Sequence, residues 1–445
     1  MNITLIQPLM SMRPMDTKLK TRMAPSLGLL SVAQSIRNGN NIGIINENVD
    51  DIINYDLPAD IVGITITVDT LPRAIEIASE YRKRGIPVVA GGIQITSYPD
   101  SAKGYFDVLC VGFAEGTWPQ IIADLKNGCL KSTYSCTRIK PEDILSPAYD
   151  MIDHSKYLYV NVISASRGCP FKCEFCYNST TNIRNSFVNR RIDDVIADIR
   201  TLKRKHIMFI DDNLIGNPKW TFEFLHRIKP MGLKWNAAVS ANVVDIPGML
   251  DLMKESGCQG LFIGFESLNE NSIKTANKGQ NNISRYEYLV DEIHKRGIMI
   301  NASFVFGLDD DDETTFPRTL EWIVKNKIET VTSHILTPYP GTLQHARMKH
   351  EGRITSKNQT LYTTSEVVFS PIKMSAEQLK SGYLKIYDDI YSIKNIFKRL
   401  PKHQRIGYLL FNFLYRKYGK FTERICDLIG FNRIGYICEK LSFRL

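Results

Sequence analysis

Cys169, Cys173 and Cys176 stand at C-x3-C-x2-C spacing within Arg167-Gly168-Cys169-Pro170-Phe171-Lys172-Cys173-Glu174-Phe175-Cys176-Tyr177. Three thiolates on one short loop can hold three irons of a four-iron cluster and leave the fourth iron open to another ligand. A zinc site ordinarily takes four ligands in two pairs. No neighbouring Cys or His completes such a set here, because His154 precedes the loop and His206 lies well beyond it. Disulfides are disfavoured too. Nine cysteines in 445 residues are a sparse, odd set, and Met1 to Ile6 lacks the basic start and long apolar run of a secretory signal, so a reducing, cytoplasmic setting is expected.

Other polar residues follow apolar runs. Asp211-Asp212-Asn213 comes directly after Ile207 to Ile210, where it can either face a ligand or cap the next helix. Ser240 and Asn242 follow a later run. Glu266, in Ile263-Gly264-Phe265-Glu266-Ser267, can accept hydrogen bonds from an amine or hydroxyl, or form a salt bridge with a nearby lysine or arginine. Gly307 ends another run and enters the acidic stretch Asp309 to Glu313, which reads as a solvated turn with helix-start character; its spacing is not that of a calcium loop. His334 falls inside a strand pattern, where a hydrogen-bonded core histidine and a catalytic role are both open. Tyr339 lies on the following loop and is the better candidate for contact with a substrate or radical.

The elements that must position these residues form two βα series. Short apolar runs at Ile3–Ile6, Ile42–Ile45, Ile61–Ile66, Val88–Ala90 and Val108–Val111 read as strands, with helices at Leu27–Ile36 and Pro72–Arg84. This alternation indicates a doubly wound parallel sheet that binds its ligand beyond the carboxyl ends of the strands. Thr65, Thr67, Gly91, Gly92 and Gly112 to Gly116 collect at those ends. Pro141 and Ser146-Pro147 mark a linker. Six further strands are expected at Val160–Ala165, Ile207–Ile210, Lys234–Val239, Gly260–Gly264, Met299–Phe306 and Thr330–Leu336. The helices of this half are expected at Asp193–Arg204, Pro247–Ser256, Arg285–Arg296 and Thr314–Asn326.

The cysteine spacing, with Phe175 before the last cysteine, resembles the signature of the radical S-adenosylmethionine (SAM) superfamily. The resemblance implies a [4Fe-4S] cluster whose open iron chelates the amino and carboxylate groups of SAM. One electron from the cluster, supplied by a reductase such as flavodoxin or ferredoxin, then cleaves SAM to a 5′-deoxyadenosyl radical. It further implies a partial (β/α)6 barrel, with SAM contacts at Phe175, Asp211, Asp212, Asn213, Ser240, Asn242 and Glu266, Gly307 beside the adenine, and His334 and Tyr339 near the substrate. In the first half, Ser26-Leu27-Gly28 opening a helix, Thr65 and Thr67, Gly91-Gly92, and Gly112 with Glu115-Gly116 resemble the Rossmann-like cobalamin-binding domain that precedes many radical SAM cores. Its Asp-x-His-x-x-Gly motif is absent, so cobalt is expected to lack a protein histidine; a degenerate domain without cofactor is the alternative. Val367-Val368-Phe369-Ser370-Pro371, Met374-Ser375 and Gly382-Tyr383 resemble the C-terminal region of cobalamin-dependent radical SAM proteins such as the hopanoid methylases.

These readings divide the chain into a cobalamin-binding domain at residues 1–140, a linker at 141–155, a radical SAM barrel at 156–345 and a mainly helical C-terminal region at 346–445. A hydrophobic fraction of 43% with 23% charged residues is that of a globular domain protein, and no apolar run reaches the length of a membrane span. The net charge of +9 admits a phosphorylated cofactor, nucleic acid or an anionic membrane, but no clustered basic-aromatic motif of the RNA-binding kind supports nucleic acid. Arg405 to Tyr418 is apolar and basic at helical spacing, which suits either a peripheral contact with the inner membrane or packing on the barrel. The expected activity is a cobalamin-dependent radical SAM methyltransferase acting on an unactivated carbon of a small, lipid-like molecule. The alternatives are a cyclase, oxidase or rearrangement enzyme of the same architecture, and a noncatalytic iron–sulfur sensor or nucleic-acid-binding protein.

Overall fold

The computed structural model describes residues 1–443; residues 444 and 445, at the end of the C-terminal region, lie outside the described residues. Two parallel six-stranded sheets form the frame. The first has the order β2-β1-β3-β4-β5-β6, with β1 at Asn2–Gln7, β2 at Asn41–Asn46, β3 at Ile61–Thr65, β4 at Val88–Gly91, β5 at Val108–Gly112 and β6 at Thr133–Cys136. The order reverses between β1 and β3, so the crevice at their carboxyl ends is the expected seat of a cofactor. Central strands such as Ile61–Thr65 are buried on both faces, as parallel sheets covered by helices require. The sixth strand carries almost no apolar signal: in Thr133–Cys136 only Tyr134 is buried, because β6 is an edge.

The second sheet runs in the order β14-β13-β12-β11-β10-β7. Its strands are β7 at Val162–Ile163, β10 at His206–Phe209, β11 at Lys234–Val239, β12 at Cys258–Glu266, β13 at Met299–Phe306 and β14 at Thr330–Ile335; a separate hairpin pairs β8, Ser166–Arg167, with β9, Val188–Asn189. Chain order equals spatial order and every neighbour is parallel, which makes this a barrel left open between β14 and β7. Helices including Ile192–Leu202, Tyr286–Lys295 and Thr315–Lys325 bury their apolar faces outside it, around a core that includes Trp235, Phe265 and Phe304.

The C-terminal region is helical and reaches both open edges. Arg399, fully buried, donates to the carbonyls of Ile328 at 2.7 Å and Glu329 at 3.1 Å, just before β14. Asn412 donates to the same Glu329 carbonyl at 3.1 Å. At the other edge, the helix Phe431–Phe443 lies so close to the chain before β7 that a Cβ on Gly435 would stand 1.7 Å from the Leu158 carbonyl oxygen. The segment Arg405–Tyr418 is not one amphipathic helix: a short α-helix at Arg405–Leu409 passes into a π-helical stretch at Leu410–Lys417. Arg416 faces inward, within 5.6 Å of the ring centres of Tyr391, Phe411 and Tyr415. Among the described residues no helix is long and apolar enough to cross a membrane.

Candidate functional site

The cysteine loop follows β7 and the short strand Ser166–Arg167, at the mouth of the barrel. Gly168 takes φ +71° to turn the chain into it. The loop is then held from β12's side of the mouth: Glu174 N–H donates to the Ala276 carbonyl at 3.0 Å, and Asn277 donates to the Lys172 carbonyl at 3.2 Å. All three cysteines are free thiols. Burial pushes the Cys169 thiol up to about 11 and the Cys176 thiol up to about 12. Three free cysteines on one short loop are a donor set that fits a metal-sulfur group, which would displace their protons and supply the compensating charge.

Lys278 is the cation beside them. Its burial works against the charge, but Glu266 and the adjoining Cys173 and Cys176 outweigh that and hold its ammonium above the ordinary lysine value. It lies 5.9 Å from the ring centre of Phe175 and forms an ion pair with Glu266 in which both side chains are 9% exposed. Glu266 is reached through a register irregularity at the end of β12 and takes φ +63°, a conformation L-residues seldom adopt. Gly264 makes the room: a Cβ there would stand 2.2 Å from Glu266 Oε1 and 2.7 Å from Lys278 Nζ. Ser303 on β13 adds a hydrogen bond to the carboxylate at 3.4 Å.

The remaining mouth residues divide by environment. Asp211 is buried, accepts the Ala165 N–H at 3.0 Å and the Ser166 hydroxyl, and is pushed by burial up to about 6; it ties β10 to the chain leading into the cysteine loop. Asp212 is exposed and accepts from Asn178 at 3.1 Å. Neither acid caps the following helix, whose cap is Asn217. Asn213 bridges to Ser240 by side chain and backbone, each at 3.1 Å, and the Ser240 hydroxyl donates to Asn242 at 2.6 Å, giving a polar rung across β10 and β11. Gly307 takes φ +93°, and a Cβ there would meet Leu379 at 2.7 Å and Phe369 at 3.1 Å, so the C-terminal region occupies that side. His334 hydrogen-bonds Thr364 at 3.0 Å and is held neutral, pushed down to about 3 by burial and by Arg13, Lys20 and Arg416. Tyr339 stacks on Tyr177 of the cysteine loop, with ring centres 4.6 Å apart.

At the carboxyl ends of the first sheet, a Cβ on Gly28 or Gly91 would make only ordinary contact, its nearest neighbours lying 3.9 Å and 3.7 Å away. Gly92, Gly112 and Gly116 are needed by the protein itself, since a Cβ would press on Ile66 at 2.6 Å or on Cys136 at 2.1 and 2.5 Å. Ser26 is half-buried and Leu27 packs with Tyr149 and Val162. Thr67 is exposed at the crevice, hydrogen-bonded to Asp69, and Thr65 is half-buried at the strand end. These glycines and threonines border the strand ends where a doubly wound sheet binds its ligand. Glu115, opening the helix after β5, pairs with Arg167 at 3.1 Å, and Arg167 also donates to Ser31 at 3.1 Å. Asn182 donates to the Thr96 carbonyl at 2.9 Å, and a Cβ on Gly341 would lie 2.5 Å from the Ser97 carbonyl oxygen. The mouths of the two sheets therefore face one another across the cysteine loop.

Sequence reasoning missed Lys278, Arg167 and Tyr177 as site residues. Arg167 and Tyr177 flank the cysteine motif and had a positional signal; Lys278 is the nearby lysine that the salt-bridge alternative for Glu266 left unnamed, 12 residues away across a turn.

Residues 163–323 match the Radical SAM superfamily, residues 21–122 the B12 binding domain, and residues 342–413 a domain of unknown function, DUF4070. The chain is 31% identical over 404 residues, 88% of each protein, to the bacteriochlorophyllide d C-12(1)-methyltransferase of Chlorobaculum tepidum. It is 27% identical, over 74% of this chain and 65% of the relative, to the hopanoid C-2 methylase of Rhodopseudomonas palustris. Among solved structures, the cobalamin-dependent S-adenosylmethionine radical enzyme OxsB with aqua-cobalamin bound superposes with a TM-score of 0.69 over 94% of this chain and 72% of its own, at 14% identity, and so shares the fold.

Proposed function

The chain belongs to the cobalamin-binding radical SAM family, and from that premise we propose that it is a C-methyltransferase that alkylates an unactivated carbon of a small molecule. The observation that carries this reading is the apposition of the two mouths, with Glu115 of the first domain paired to Arg167 at the entrance of the cysteine loop. A methyl transfer needs its methyl donor and its hydrogen-abstracting radical on the same substrate, and this arrangement gives both a common chamber. When bound, the cluster with SAM supplies the 5′-deoxyadenosyl radical and cobalamin supplies the methyl group.

In this reading Cys169, Cys173 and Cys176 hold the cluster, and Lys278 offsets its negative charge. Asn213, Ser240 and Asn242 offer hydrogen bonds to the ribose and methionine portion of SAM, with Glu266 oriented for them by Lys278. Asp211 positions the chain entering the cysteine loop. Thr65, Thr67, Gly28 and Gly91 border the cobalamin crevice, and Tyr339, stacked on Tyr177, walls the chamber between the two cofactors. The substrates named for the relatives, a bacteriochlorophyllide and a hopanoid, support a large apolar body.

Anaerobic reconstitution with iron, sulfide and hydroxocobalamin, followed by reduction with SAM, tests the reading. Both S-adenosylhomocysteine, from methylation of the cofactor, and 5′-deoxyadenosine are expected. 5′-Deoxyadenosine without S-adenosylhomocysteine would point to a cyclase, oxidase or rearrangement enzyme of this architecture, and neither product would refute an enzymatic role.

A further inference from the structure

Arg416 has no acidic partner among the described residues. Its guanidinium lies 5.1 Å, 5.4 Å and 5.6 Å from the ring centres of Tyr415, Phe411 and Tyr391, hydrogen-bonds the Tyr387 side chain, touches Thr332 Oγ1 on β14 at 3.5 Å, and leaves its Nε buried without an acceptor. The surrounding charges do not compensate it. Asp16 is shared by Arg13, in two hydrogen bonds of 2.9 Å, and by Lys20 at 2.7 Å; Asp69, the other nearby carboxylate, already accepts from the Ser11 N–H and the Thr67 hydroxyl. Three cations thus meet two carboxylates, and Arg416 is the one left over. His334, two residues beyond Thr332 on β14, feels Arg13, Lys20 and Arg416 together. The segment carrying Arg13 and Asp16 leaves the carboxyl end of β1, and its Met15 sulfur meets the Tyr383 hydroxyl at 3.6 Å. This corner therefore lies where the cobalamin crevice and the barrel mouth adjoin.

A guanidinium held among aromatic rings, with an unused N–H and no counter-ion, is costly unless an anion completes it. Arginine presents a planar fork suited to carboxylates. We propose that Arg416 seats a carboxylate of the substrate, so that the molecule methylated is an apolar acid whose body lies beside Tyr387 and Tyr415. The proposal rests on the methyltransferase reading and narrows its substrate class: a chlorophyllide bears a free propionate, whereas a hopanoid hydrocarbon bears no anion.

Fluorescence titration of the reconstituted, cobalamin-loaded protein with pheophorbide a, a chlorin with one free propionate, and with its methyl ester tests this. The acid is expected to bind about 10- to 100-fold more tightly than the ester. Arg416→Gln should bring the two within about threefold of each other, while Arg416→Lys keeps part of the preference. Equal binding of acid and ester by the wild type, binding of neither, or a preference that survives in natively folded Arg416→Gln protein would overturn the proposal. If Arg416→Gln fails to fold, the wild-type comparison and Arg416→Lys decide. Weaker hydroxocobalamin binding by Arg416→Gln would reassign the anion to the cofactor's phosphate and also overturn it. S-adenosylhomocysteine formation by the same wild-type preparation reports separately on the methyltransferase reading.

Discussion

Lys278→Met isolates the buried ion pair at the mouth of β12. Glu266 is 9% exposed, sits in a left-handed backbone conformation and has as its other contact a 3.4 Å hydrogen bond from Ser303. At an ordinary ion-pair separation of about 3 Å and an effective dielectric constant of about 20, the attraction with Lys278 is roughly 5 kcal/mol. That offsets much of the desolvation of both groups. Methionine keeps most of the lysine volume but leaves a buried carboxylate alone, which costs about 3–5 kcal/mol. For a barrel of this size, each kcal/mol shifts the melting temperature by roughly 2–4 °C, so a loss of about 6–20 °C is expected for the reconstituted protein at neutral pH. The double substitution Glu266→Gln with Lys278→Met removes the stranded charge and should recover most of the loss. Circular dichroism melts of the wild type, the single variant and the double variant are sufficient. A single variant within about 2 °C of the wild type, or a double variant no better than the single, would refute the reasoning.

Cys169→Ala, Cys173→Ala and Cys176→Ala should each abolish cluster loading and SAM cleavage, whereas Cys258→Ser, distant in the barrel core, spares loading; iron analysis after reconstitution distinguishes them. No histidine precedes His154, so electron paramagnetic resonance of the cobalt(II) form should show no nitrogen coupling from the protein. Asp311, whose carboxylate accepts the Gly307 and Leu308 N–H groups, is pushed by burial up to about 7. A carboxyl raised in the folded state binds more protons than in the unfolded one, so stability should fall between about pH 4 and pH 7; urea titrations across that range should show this slope in the wild type and lose it in Asp311→Asn. Because Arg416 turns inward, the folded protein should fail to float with anionic liposomes, and flotation abolished by Leu410→Ser with Leu414→Ser would contradict that.

The two βα series were legible because parallel strands covered on both faces are short runs rich in Val, Ile and Leu, as in Ile61–Thr65 and Val108–Gly112. β6 was not, since an edge strand with one buried side chain has no apolar period. The cysteine loop declared itself through spacing. Partners joined across the fold did not: nothing local connects Glu115 with Arg167, or Arg416 with the face of β14. The glycines show the limit most sharply. Gly28 and Gly91 could carry a Cβ at ordinary contact distance, whereas Gly92, Gly112 and Gly116 leave room for the protein's own backbone and side chains, a distinction that depends on neighbours rather than on the residue.

The clasp formed by Arg399 and Asn412 at β14 and by Gly435 at the chain before β7 also orders events in time. β14 ends at Ile335, and Gly435 lies 100 residues later. At about 5–20 residues per second of synthesis, the β7 border waits some 5–20 s for Gly435, and the β14 border about 3–13 s for Arg399. Unpaired strand edges are templates for pairing with other chains. The nascent protein thus passes through a stage in which its central domain is fully made yet unguarded, and a ribosome that stalls late in this interval releases a sheet still open to aggregation on its β7 side.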